Sequence, residues 1–117
     1  MKLRPIGTVK RTGESSRLEI NPVYAGALEG CENLASIDVL YWMHELSDDD
    51  RSRLKVHPRG DRARPKRGVF ALRSPMRPNP IGVSTVRVLR REGTVLIVSG
   101  LDANDASPII DIKAARS

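Results

Sequence analysis

Apolar residues recur at every second position in three stretches of this 117-residue chain, and a period of two marks half-buried strands. Arg17-Leu18-Glu19-Ile20 alternates cleanly; Ile37, Val39 and Tyr41 share one face; Val86 and Val88 flank Arg87. A short β-like segment over Leu3 to Lys10, with Ile6 and Val9 apolar, precedes the turn residues Thr12-Gly13-Glu14-Ser15, so the chain opens with a predicted hairpin. Asn21-Pro22 closes the second strand, leaving Val23 to Leu28 at most one helical turn before Gly30. Ala35 to His44 carries Leu40, Trp42 and His44 opposite the Ile37 face, which predicts a strand buried on most of both faces. Ser47 followed by Asp50 three residues later is a capping-box pattern, and Asp48 to Asp50 complement the positive end of a helix, so a short helix starts there and ends before His57-Pro58. Val83 to Arg91, the turn Glu92-Gly93-Thr94 and Val95 to Ser99 form a second hairpin. A loop of turn residues over 100–108 then leads into the strand Ile109 to Lys113. Many short strands, one or two short helices and no β-α-β alternation predict a mainly β, compact, barrel-like fold in a single domain covering 1–117.

Composition adds a partner to this outline. A formal charge of +6 favours an anionic partner such as nucleic acid, a phosphorylated ligand or an acidic protein. The single cysteine, Cys31, excludes an internal disulfide and points to the cytoplasm and to a packed thiol. No signal-peptide pattern opens the chain, and no apolar run approaches the ~20 residues that span a bilayer. There is no G-x-G-x-x-G opening a helix, no P-loop, no Cys or His pair at zinc spacing and no G-x-S-x-G elbow. Asp48, Asp49 and Asp50 are adjacent rather than spaced around a glycine turn, so no metal site is expected.

Two stretches carry candidate chemistry. Gly68 to Gly82 places Pro75, Pro78 and Pro80 among Arg73, Arg77 and Asn79, between two apolar strands. The prolines exclude a helix and fix the chain in an extended, preorganised form, while the arginines and the asparagine offer hydrogen bonds to an anionic or planar ligand. Residues 51–67 form a basic run in which Gly60 and Pro65 break regular structure. Arg59, Arg62, Arg64, Lys66 and Arg67 there, with Arg77, are candidates for nucleic-acid binding, since each neutralised phosphate releases counterions. Such a run is expected as a mobile, solvated arm, and its poverty in aromatics argues against an open stacking platform.

Arg77-Pro78-Asn79-Pro80-Ile81-Gly82, followed by Ser107-Pro108-Ile109-Ile110-Asp111-Ile112-Lys113, is a specific combination. With Pro5-Ile6-Gly7, Leu28-Glu29-Gly30, Val39 to His44, Val56 to Asp61 and Ser99 to Asp102, it covers nearly the whole chain. On these motifs the sequence resembles the TsaA-like proteins, also called the YaeB or TrmO family. The resemblance implies a β-barrel unlike the Rossmann methyltransferases and an S-adenosylmethionine-dependent activity on tRNA, at N6 of threonylcarbamoyladenosine next to the anticodon. Carried over by position, it implies that His44, Glu45, Arg73, Pro78, Asn79, Pro80, Ile81, Gly82, Leu101 and Asp102 surround the methyl donor. Here Arg73 would pair with a carboxylate and Asp102 would accept from a hydroxyl or ammonium. The loop from Arg11 to Ser16 is shorter than the family's, so a homodimer partner is expected to complete the donor's enclosure.

Methyl transfer from a sulfonium requires mainly an in-line approach in a site that limits water. An N6 beside a carbonyl is a weak nucleophile and must lose its proton. Asp111 is the candidate acceptor and Lys113 the stabiliser of developing charge, two residues that a strand points to one face. The competing expectations are a family methyltransferase acting on a different small acceptor, and a non-catalytic nucleic-acid or ligand-binding module.

Overall fold

A computed structural model describes residues 1–116. The backbone gathers into two compact units, Met1–Trp42 with Gly82–Ser117, and Met43–Ile81.

The first unit contains a closed antiparallel barrel. Its strands are β1 (Gly7–Thr12), β2 (Ser15–Ile20), β3 (Ser36–Trp42), β6 (Ile81–Glu92), β7 (Val95–Ser99) and β8 (Pro108–Ala114), hydrogen-bonded in the order β1-β2-β7-β6-β3-β8. Both predicted hairpins are present. Gly13 (φ 65°) and Gly93 (φ 63°) supply the left-handed residue that each tight turn requires. β1 begins at Gly7 rather than Leu3, and β3 ends at Trp42 rather than His44. Closure comes from β1 and β8, where Gly7 faces Ile109 and Thr8 faces Pro108. On its other side, a Cβ on Gly7 would collide with the Glu19 carbonyl of β2, so β1 and β2 approach this closely only because the residue has no side chain.

Alternation sends Val9, Leu18, Ile37, Val39, Val86, Leu96, Val98 and Ile109 inward, each almost wholly buried. The opposite face of β3, with Leu40 and Trp42, is half-buried rather than enclosed, so the strand alternates instead of being buried on both sides. The predicted turn after Asn21 becomes a 3-10 stretch over Pro22–Leu28, longer than one turn, with the Asn21 side chain accepting from the Val23 amide.

The second unit holds one α-helix among its described residues, α1 (Asp48–Arg51), started by the predicted capping box. The Ser47 amide donates to Asp50 Oδ2, and the Asp50 amide donates to Ser47 Oγ, both at 3.1 Å. The basic run departs from a plain solvated arm: it is pinned at its base by a two-stranded ladder, β4 (Lys55–Val56) against β5 (Arg67–Gly68). His57 Nδ1 lies 2.8 Å from the Arg64 carbonyl and ties the run across its middle. Local sequence could not reveal this ladder, because two-residue strands carry no period.

Candidate functional site in two units

In the barrel unit, Gly82 and Asp102 converge on Tyr41. The Tyr41 ring fills the space that a side chain at position 82 would need, with ring carbons 2.5 Å from the position of a Cβ. The Tyr41 hydroxyl donates to the Asp102 carbonyl at 3.2 Å and lies 3.4 Å from Ser84 Oγ. Leu101 is buried, whereas the Asp102 side chain is exposed. Arg11, which sequence reasoning passed over, fixes the same loop. Its Nη1 donates to the carbonyls of Ala103 (2.7 Å) and Leu101 (3.1 Å), and its amide donates to Asp105 Oδ1 (2.9 Å). Asp102 is thus presented on a backbone held by Tyr41 and Arg11. The pairing of a strand arginine with a turn some 90 residues away has no local signature.

Asp111 and Lys113 form an exposed ion pair, with Lys113 Nζ 3.3 Å from Asp111 Oδ2. Lys113 stands opposite Asp38 in the β3–β8 register, and Asp38 accepts from Thr85 Oγ1 at 2.6 Å. Asp111 Oδ1 also accepts from the Ile112 amide at 2.9 Å. Asp38 and Thr85 therefore belong to the polar cluster around the predicted catalytic pair. Only strand register reveals them.

In the second unit the turn over Pro78 to Ile81 is held by its own carbonyls. Pro78 O accepts from Arg51 Nε (2.9 Å), Pro80 O from the Met43 amide (2.8 Å), and Asn79 O from the Ile81 amide (2.7 Å). Since Met43 is bonded to Pro80, His44 and Glu45 follow directly beside this turn. His44 Nε2 lies 3.8 Å from Glu45 Oε1.

The two loop arginines separate in role. Arg77 directs its guanidinium onto its own loop, donating to the carbonyls of Val69 (2.7 Å), Ser74 (3.3 Å) and Leu72 (3.4 Å). Arg73 is exposed and lines an open groove of about 1000 Å³. Arg59, Arg62, Arg64, Lys66 and Arg67 line the same groove. Eight of its sixteen lining residues are Lys or Arg and none is Asp or Glu. The second unit carries ten Lys and Arg against five Asp and Glu, so +5 of the chain's +6 resides there. Among the described residues no cluster of three metal-ligating side chains occurs, and no helix is long and apolar enough to cross a membrane.

A closed six-stranded antiparallel barrel belongs with the small β-barrel domains, outside the doubly wound nucleotide binders. Within that class, the model of the tRNA-methyltransferase O N-terminal domain matches residues 3–115, and the chain belongs to that family. Two archaeal relatives are similar over 97% of this chain and 88% of their own lengths. The one from Archaeoglobus fulgidus, named S-adenosyl-L-methionine-binding protein, is 45% identical. The one from Methanothermobacter thermautotrophicus, named probable S-adenosyl-L-methionine-binding protein, is 42% identical. A crystal structure of TrmO aligns with a TM-score of 0.76 at 31% identity, covering 99% of this chain and 57% of that one. TrmO from Pseudomonas aeruginosa aligns at 0.75 and 28%, covering 99% and 56%. The chain thus spans little more than half the length of these solved proteins.

Proposed function

We infer that this chain binds S-adenosylmethionine and transfers its methyl group to tRNA, at N6 of threonylcarbamoyladenosine next to the anticodon. The observation that carries the reading is the convergence of Gly82 and Asp102 on Tyr41. It joins the end of the Asn79-Pro80-Ile81-Gly82 motif to the Leu101-Asp102 loop inside the barrel unit. The family membership and the names of the archaeal relatives support the same donor.

The donor set fits the chemistry. Exposed carboxylates at Asp102 and Glu45 suit an ammonium and a positive sulfonium, and His44 offers a ring nitrogen. The turn over Pro78 to Ile81 supplies backbone groups on a fixed scaffold for an adenine edge, and in the barrel unit Leu101 is the buried apolar neighbour of Asp102. Arg73 falls outside this narrowed set, because it stands among seven other cations in a groove without a carboxylate, where a cationic donor is repelled. When bound, the donor supplies an electrophilic methyl carbon.

Asp111 takes the proton from the acceptor nitrogen, and Lys113, 3.3 Å from it, stabilises the charge that builds there. The groove cations draw the tRNA by its phosphates.

Calorimetry with S-adenosylmethionine tests the first claim, and absence of binding by the folded protein would remove it. Methylation of tRNA with and without the threonylcarbamoyl group tests the acceptor; equal transfer to both would favour a different one. Asp111→Asn and Lys113→Ala should bind donor as the parent does and lose most turnover, and parent rates in both would reject these two roles.

A further inference from the structure

We propose that Arg51 is a positioning residue for recognition of the donor's adenine: through the Pro78 carbonyl it holds the exposed Asn79 carboxamide in register with the segment that carries His44 and Glu45. The inference rests on the donor reading given above and adds the residue that sets its selectivity, all within the Met43–Ile81 unit.

The geometry is a strap closed at both ends. The Met43 amide donates to Pro80 O at 2.8 Å, and Arg51 Nε donates to Pro78 O at 2.9 Å. The chain from Met43 to Arg51 therefore leaves and returns to carbonyls two positions apart. Its middle is fixed from inside: Ser47 and Asp50 cap each other, and the Arg51 amide donates to Ser47 O at 3.1 Å. A helix as short as α1 has no stability of its own, so these bonds make it a post that aims the Arg51 side chain. His44 and Glu45 lie in the arm between Met43 and this post.

The turn leaves one residue to read a base. Pro78 and Pro80 have no amide hydrogen, and the Ile81 amide is spent on Asn79 O at 2.7 Å. What the turn can donate outward comes from Asn79, which is exposed between a half-buried Pro78 and a buried Pro80. A carboxamide donates one bond and accepts another, a pattern that matches an adenine edge and mismatches a base with a carbonyl in place of the amino group. Such a match requires the amide plane to be held in place. Arg51 grips the carbonyl of the peptide bond that leads into Asn79.

Arg51 also stands apart from the phosphate cations. Arg53 lines the cationic groove and Arg51 does not; its side chain is half-buried instead. Its Nε lies as many bonds from Cα as the Nε2 of a glutamine and the terminal carbon of a methionine, so the bond and the charge can be separated by substitution.

The test is calorimetry on the full chain with S-adenosylhomocysteine and S-inosylhomocysteine, which differ at the adenine amino group, alongside amide hydrogen exchange without ligand. The parent should prefer the adenosyl compound by about tenfold or more. Arg51→Met should cut this preference to about threefold or less, and should speed exchange of the Met43 and Ile81 amides about tenfold while leaving the β6–β7 hairpin unchanged. Arg51→Gln, which restores the N–H without the charge, should return both readouts to within about twofold of the parent. Asn79→Ala should abolish the preference and leave Met43 exchange alone, with urea unfolding verifying the fold of each variant. A purely structural role would weaken both compounds alike, and an unchanged preference in Arg51→Met overturns the proposal. Equal losses in Arg51→Met and Arg51→Gln overturn it in favour of a charge effect, and a parent that binds both compounds equally overturns it as well. Binding of neither compound by the folded parent removes the donor reading together with this role, a result distinct from parent-like preference in Arg51→Met, which removes the role alone.

Discussion

Tyr41 and Gly82 occupy one volume: the ring of the first lies where the side chain of any other residue at position 82 would be. Tyr41 is only 6% exposed within the barrel, so the ring has little room to yield. Gly82→Ala should therefore destabilise the fold by about 1–3 kcal/mol, the usual cost of overpacking a filled core. Tyr41→Phe keeps the packing and loses the hydroxyl contacts, at a cost of about 0.5–1.5 kcal/mol. Urea unfolding of both variants measures these costs, and a neutral Gly82→Ala would contradict the close approach.

The Leu101-Asp102-Ala103 loop depends on Arg11. Arg11→Ala removes two charge-assisted bonds and should speed amide hydrogen exchange over 101–105, with less change in the β6–β7 hairpin. Donor affinity should fall with it if Asp102 acts as proposed. Unchanged exchange in the loop would mean that Arg11 is not its anchor.

Arg77 offers a choice between two roles. As a clamp on three carbonyls, its removal should cost about 1–3 kcal/mol and open the loop over 69–78 to protease. Arg77→Lys should fail to restore it, because a single ammonium cannot replace a planar fork. As a direct contact to RNA, its loss would weaken RNA binding and leave both stability and proteolysis alone.

Cys31 and Glu32 shift in opposite directions. Burial first, then the Glu32 charge, pushes the Cys31 thiol up, with Arg91 opposing. Its own backbone amide, with help from the Arg91 guanidinium, holds the Glu32 carboxyl down. The raised thiol adds stability below its unfolded pKa, and that contribution is lost as pH rises through the folded value. The lowered carboxyl adds stability above its unfolded pKa, and this is lost as pH falls through the folded value. Alkylation of Cys31 near about pH 8 should be slower in the folded than in the unfolded chain, and Glu32→Gln should speed it. Equal rates in folded and unfolded protein would count against the burial of the thiol.

What the sequence determined by itself was whatever neighbouring residues decide together. Strand alternation around Leu18, Val39 and Val86, the Gly13 and Gly93 turns and the Ser47–Asp50 box all rest on contacts within a few positions, and all are present. The motif from Arg77 to Gly82 was likewise legible, because its two prolines admit few conformations. Tertiary structure alone decided the order of strands around the barrel, the presence of Asp38 and Thr85 beside Asp111 and Lys113, and the opposite destinations of Arg73 and Arg77. A guanidinium four residues from another has the same charge, length and local preference, and which one turns inward depends on where distant carbonyls lie. Register and side-chain direction are set by pairings between residues far apart in sequence, and no local pattern carries that information.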